Sequence, residues 1–137
     1  MKTVNWGIVG CGNVCERKSG PAMYKTPHSA LAAVMRRDAE KVADFARRHN
    51  VPKSYTDAAA LIGDPEVDIV YVATPPGTHR ELAVQALEAG KPGYVEEPMA
   101  MNHAECLEVI AAAEKAGQKL FVAYYRRALP YFLKVKE

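Results

Sequence analysis

The chain has 137 residues, 49% of them hydrophobic and 25% charged, and a net charge of +2. That size and balance suit one soluble globular domain with a single core. Acids and bases are interspersed, so there is no concentrated basic stripe for a phosphate backbone or anionic bilayer, and neither nucleic acid nor a membrane is an expected partner. No apolar run approaches the ~20 residues that span a bilayer, and Asn5 and Trp6 break any signal-peptide pattern in "MKTVNWGIVG". Cys11, Cys15 and Cys106 make an odd count without C-x-x-C spacing. Reduced thiols, a cytoplasmic setting and no metal are the expectation.

The first apolar run, "VNWGIVG", predicts a buried strand entering a tight turn. In "GIVGCGNVCERKSG" the turn carries Gly10-x-Gly12-x-x-Cys15 and opens a helix. One glycine permits the turn, the next lets the backbone approach a pyrophosphate, and the N–H groups of Asn13 and Val14 point at the anion. The third position of this fingerprint takes glycine or alanine for close packing; here it is Cys15, slightly larger. A glycine motif alone is weak evidence, but this one follows a strand and begins an alternating chain.

"SALAAVM" (29–35) predicts the second strand, followed by Arg36, Arg37 and Asp38. In such folds an acid after this strand binds the adenine ribose and repels a 2′-phosphate. Here two guanidiniums offer forks of N–H donors that suit a phosphate dianion, so NADP is favoured and NAD is possible. A solvated arginine pair is the plain alternative. Asp38 either turns back to a ribose or caps the helix of "AEKVADFARRH" (39–49), whose stripe is Val42, Phe45 and Ala46.

"VDIVYVATPP" (67–76) is the strongest strand signal, and "THRELAVQALEAG" (78–90) follows as a helix stopped by Gly90. "GYVEEP" predicts another strand, then "NHAECLEVIAAAEKAG" (102–117) a helix with Asn102 as N-cap and Glu105 completing a capping-box-like start. "KLFVAYY" (119–125) is the last strand. Near-continuous apolar strands alternating with amphipathic helices predict an α/β, doubly wound, mostly parallel sheet. In "YYRRALPYFLKVKE", Pro130 starts a helix with Tyr131, Phe132, Leu133 and Val135 in an apolar cluster, as in a piece of a longer protein. The alternative is a short helix folded back on the sheet.

With the glycine loop, "RRDAEKVADFA", "VATPPGTH", "AGKPGYVEEPMA" and "YYRR" in order, residues 3 to 137 resemble the Gfo/Idh/MocA oxidoreductase family. The resemblance implies a Rossmann domain over residues 1–125. Residues 126–137 would start the connection to a C-terminal α/β domain that supplies much of the substrate pocket. It further implies an NAD(P)-dependent dehydrogenase acting on a sugar, polyol or related hydroxy compound, of which this chain is the nucleotide half. Thr74, Pro75 and Pro76 would run along the nicotinamide ribose, at the carboxyl end of a central strand where doubly wound sheets bind ligands. His79 either contacts the cofactor or serves the helix start.

The family's Glu-Lys-Pro motif falls on Glu96, Glu97 and Pro98, with Glu97 in the lysine position. A glutamate there can act as a general base but offers no ammonium to a developing alkoxide. Glu96 and Glu97 are therefore the candidate catalytic pair, Glu96 also facing the cofactor. Tyr124 and Arg126 are candidate substrate residues, while Tyr125 and Arg127 suit interdomain packing. Two other readings compete with the enzyme: a non-catalytic NADP-binding module or inactive member, and a fragment that self-associates, as a homo-oligomer, through an uncovered apolar face.

Overall fold

A computed structural model describes residues 1–137. Six strands form one parallel sheet: β1 (Val4–Val9), β2 (Ser29–Met35), β3 (Lys53–Tyr55), β4 (Ile69–Val72), β5 (Gly93–Val95) and β6 (Leu120–Val122), in the order β3-β2-β1-β4-β5-β6. The order reverses direction at the β1–β4 pair, where Trp6 to Val9 lie opposite Ile69 to Val72.

The apolar runs have their cause in what covers the two faces. Val70 and Val72 join Val9, Ala33 and Met35 under α3 (Ala58–Ile62), α4 (His79–Glu88) and α5 (His103–Ala116). Tyr71 points the other way, with Ile8, Leu31 and Val34, under α1 (Gly20–Lys25) and α2 (Ala39–Arg48). Successive residues of β4 thus enter opposite layers and all four are buried. Truncating fully buried Leu87 of α4 to alanine would cost about 2–5 kcal/mol, the usual range for such a cavity.

The caps match the sequence pattern. Asp38 accepts from the Lys41 N–H at 3.0 Å, and Asn102 from the Glu105 N–H at 3.0 Å. Glu105 reaches back one residue further than a capping box requires, to the Met101 N–H at 3.0 Å. Gly117 ends α5 with φ of +62°, and Gly90 lies beyond α4 with φ of +77°.

Three features differ from the sequence reading. The strand expected over 67–76 is only Ile69–Val72, because the Pro75–Pro76 pair has no N–H groups for a ladder and starts a 3-10 turn over Pro76–Thr78. β3 and α3 were not expected. β3 is three residues long, paired with β2, and held by Asp64, which accepts from Lys53 Nζ and Tyr55 Oη. The helix after the glycine loop begins with a wide π turn over Cys15–Ser19, where Gly20 lies against the Cys15 carbonyl. After β6 a 3-10 turn (Tyr125–Ala128) leads to α6 (Pro130–Lys136), which buries no residue.

Candidate functional site

Because all strands are parallel, the loops after β1, β2, β4, β5 and β6 leave the sheet at one rim. The glycine loop is fixed there by the N–H groups of Gly10 and Cys11, which bond the Met35 carbonyl at 2.9 and 3.1 Å. Gly10 has φ of +92°, and a Cβ on it would stand 2.7 Å from Thr74 Cγ2, so both conformation and space require glycine. At Gly12 the opposite holds: a Cβ would meet nothing nearer than the Gly10 carbonyl at 3.9 Å. Gly12 therefore leaves room in a cleft instead of permitting internal packing.

That cleft, of about 520 Å³, is bounded by Gly10 and Gly12, by Arg36 and Arg37 after β2, and by Thr74 and Pro75 after β4. Thr56, Asp57, Thr78, Glu81 and Leu82 also line it, none of them a site candidate from the sequence. Thr56 and Asp57 come from the unexpected β3–α3 turn. Their signal was present in "TDAAALIG": Asp57 caps α3 by accepting from the Ala60 N–H at 2.9 Å, and Gly63 follows the helix.

Arg36 is anchored by its N–H to the Tyr55 carbonyl at 3.1 Å, and neither Arg36 nor Arg37 joins an ion pair. Asp38 is not a competitor for them, since it caps α2 and pairs with Lys41 Nζ at 2.9 Å. Asn13 and Val14 are exposed at the head of the helix, where no preceding turn supplies carbonyls for their N–H groups. They lie outside the cleft lining, at its glycine edge. Burial pushes the Cys11 and Cys15 thiols up to about 11 and about 12, so beneath the loop they behave as small protonated hydrophobes.

The second half of the rim is built from the ends of β4, β5 and β6. His79 is 1% exposed; its Nδ1 lies 2.8 Å from the Pro98 carbonyl and its Nε2 2.7 Å from the Thr74 carbonyl. Both ring nitrogens thus face backbone oxygens, and the ring joins the loop after β4 to the one after β5. Pro76 opens the turn before it and does not line the cleft. The Thr78 hydroxyl lies 2.7 Å from Thr74 Oγ1.

Glu96 and Glu97 diverge. Glu96 is half-buried and its carboxylate accepts from the Tyr71 hydroxyl, while Glu97 is exposed and precedes a cis peptide to Pro98. Burial first, then the Glu96 carboxylate, push the Tyr71 phenol far above its ordinary range. Arg126 is raised, first by its hydrogen bond to Tyr125, with Tyr124 and Glu97 contributing less. Tyr124 is half exposed beside them. Lys18 Nζ lies 5.8 Å from the Tyr125 ring centroid and brings the glycine-loop helix to the same edge. No cluster of three or more His, Cys, Asp or Glu side chains could hold a metal, and no helix is long and apolar enough to cross a membrane.

The profile of an oxidoreductase family with an NAD-binding Rossmann fold, Gfo/Idh/MocA, matches residues 4–124. The chain belongs to the Gfo/Idh/MocA family. Within the family it is 51% identical over 134 residues to Oxidoreductase P35 of Formosa agariphila, covering 98% of this chain and 42% of that one. The WlbA dehydrogenase of Chromobacterium violaceum, solved with NADH and UDP-GlcNAcA, superposes with a TM-score of 0.91 at 27% identity, over 99% of this chain and 39% of that one. The 3-ketoreductase KijD10 of Actinomadura kijaniata, solved with NADP and TDP-benzene, gives 0.93 at 25% identity, over 98% and 41%. The chain thus spans about two-fifths of these Gfo/Idh/MocA relatives and corresponds to their NAD(P)-binding part, without the C-terminal domain.

Proposed function

We propose that the chain is the nucleotide-binding part of an NADP-preferring dehydrogenase that moves hydride between the nicotinamide and a sugar, polyol or related hydroxy compound. The carrying observation is the cleft with Gly10 and Gly12 on one wall and two arginines free of carboxylate partners on another. The residues suit the group: the loop N–H groups would take the pyrophosphate, and Arg36 and Arg37 the 2′-phosphate. Thr74, Pro75 and Pro76 would flank the nicotinamide ribose, with His79 acting from behind as the tie between loops. When bound, the nicotinamide supplies or accepts the hydride; Glu96 and Glu97 stand at that end, and Tyr124 and Arg126 would meet the substrate. Residues 126–137 would lead to the second domain, in a cytoplasmic enzyme whose three thiols are free.

Glu97 supports a second reading, a nucleotide-binding module without turnover, because a carboxylate replaces the family's lysine at the reacting end. Thermal melts with cofactor test the binding claim: a ligand held only by the folded state raises Tm with its affinity. NADPH is expected to raise Tm more than NADH, and the Arg36→Ala/Arg37→Ala pair to remove the difference. Equal shifts in the parent chain would defeat the NADP preference. Restoring the lysine, Glu97→Lys, in a full-length protein separates the two readings: a large gain in rate at unchanged NADP affinity supports a site altered at this position.

A further inference from the structure

A carboxylate one turn into an anion-binding helix competes with the anion for the same positive end. Glu16 has that position, since its N–H bonds the Gly12 carbonyl at 3.1 Å. Its carboxylate is not left free. Arg48, the last residue of α2, grips it with both arms, Nη1 to Oε2 at 2.8 Å and Nη2 to Oε1 at 2.5 Å. His49 Nε2 lies 2.8 Å from Oε2.

The two partners are themselves held. The His49 ring stacks on Phe45 with centroids 4.2 Å apart, and the Tyr24 hydroxyl lies 3.2 Å from Nδ1. With the proton on Nε2 donated to Glu16, Nδ1 is free to accept from Tyr24. Arg48 Nε donates to Asp44 at 2.6 Å, which fixes the guanidinium plane along α2. Thirty-two residues separate Arg48 from Glu16, so the fork also ties the glycine-loop helix to its neighbour.

We propose that Arg48, supported by His49, is a positioning residue for the dinucleotide site. It neutralises Glu16 and turns its carboxylate toward α2, away from the N–H groups of Asn13 and Val14. The phosphate-binding end of the helix then presents its positive potential without a fixed counter-charge. This inference rests on the nucleotide reading above and adds a residue outside the cleft lining to it.

The test is calorimetric titration of NADPH into the parent chain and into Arg48→Gln, Arg48→Lys, Glu16→Gln and Glu16→Gln/Arg48→Gln, with circular dichroism melts to confirm folding. Arg48→Gln is expected to weaken binding about 3- to 10-fold at low ionic strength, and by less at ~0.5 M salt, because the loss is electrostatic. Arg48→Lys should stay within about 2-fold, since a cation is kept near Glu16. The double variant should regain parent affinity, which a purely structural role for Arg48 would not allow. A double variant as weak as Arg48→Gln overturns the inference, as does Glu16→Gln binding more weakly than the parent, a measurement that does not depend on Arg48→Gln folding. If the parent binds and Arg48→Gln is unchanged, this inference alone falls; if the parent binds no NADPH, the nucleotide reading falls with it.

Discussion

The Tyr71 hydroxyl, buried in the middle of the sheet, donates to the carboxylate of Glu96 at the end of β5. The pair joins two neighbouring strands and holds the first acid of "EEP" inward, while the second, Glu97, is left exposed. Two acids adjacent in sequence therefore have unlike surroundings.

Tyr71→Phe removes the donor and leaves the ring in place. A hydrogen bond to a charged group is worth about 1.5–3 kcal/mol, and urea denaturation should show a loss at the lower end of that range. The phenol is raised in the folded chain, so its stabilising contribution is complete below the ordinary value of 10 and falls as pH rises above it. Tyr71→Phe should accordingly flatten the alkaline limb of a stability–pH curve. An unchanged slope above pH ~10 would refute the linkage.

Glu16 gives the opposite sign. The Arg48 hydrogen bonds hold its carboxyl down at about 2, against an ordinary 4.5. Its contribution is complete above 4.5 and is lost as pH falls through about 2. Glu16→Gln should make melting temperature less dependent on pH across that interval. An acid limb identical to the parent's would refute the assignment.

The two loop glycines should separate stability from binding. Gly10→Ala must adopt φ of +92° and press on Thr74, with an expected loss of about 1–3 kcal/mol. Gly12→Ala projects into the open cleft, so it should melt close to the parent and bind NADPH more weakly. Equal melting losses for both would contradict the geometry.

His79→Ala opens a cavity and strands the Thr74 and Pro98 carbonyls. Together these should cost about 2–4 kcal/mol in chemical denaturation. A loss below ~0.5 kcal/mol, the size of an ordinary surface change, would show that the ring is not the tie between the two loops.

Much of this was legible because the residues concerned act locally. β2 is a seven-residue apolar run bounded as the sequence suggested, and Asp38 and Asn102 cap the helices that follow them. Gly10, Gly12, Arg36, Arg37, Thr74 and Pro75 surround one cleft because each stands next to a strand end that the pattern located. β3 was not legible: "KSY" has no periodicity to read, and its existence depends on β2 alongside and on Asp64 nine residues beyond Tyr55. With β3 and α3 missed, the wall of the cleft formed by Thr56 and Asp57 was missed too. Nor does sequence spacing indicate that Arg48 meets Glu16, which depends on how two helices pack, or that His79 turns inward, which depends on the loop after β5 lying beside the loop after β4.

The one-way sheet has a practical consequence at its other rim. The turn Thr26–Pro27–His28 is exposed at the amino end of β2 and bonds back to β1 only through the His28 carbonyl. It lies a full strand length from the loops that line the cleft. A peptide tag or fluorophore inserted after Pro27 should leave the cleft between the glycine loop and the two arginines untouched, making that turn the natural handle for immobilising or labelling the chain.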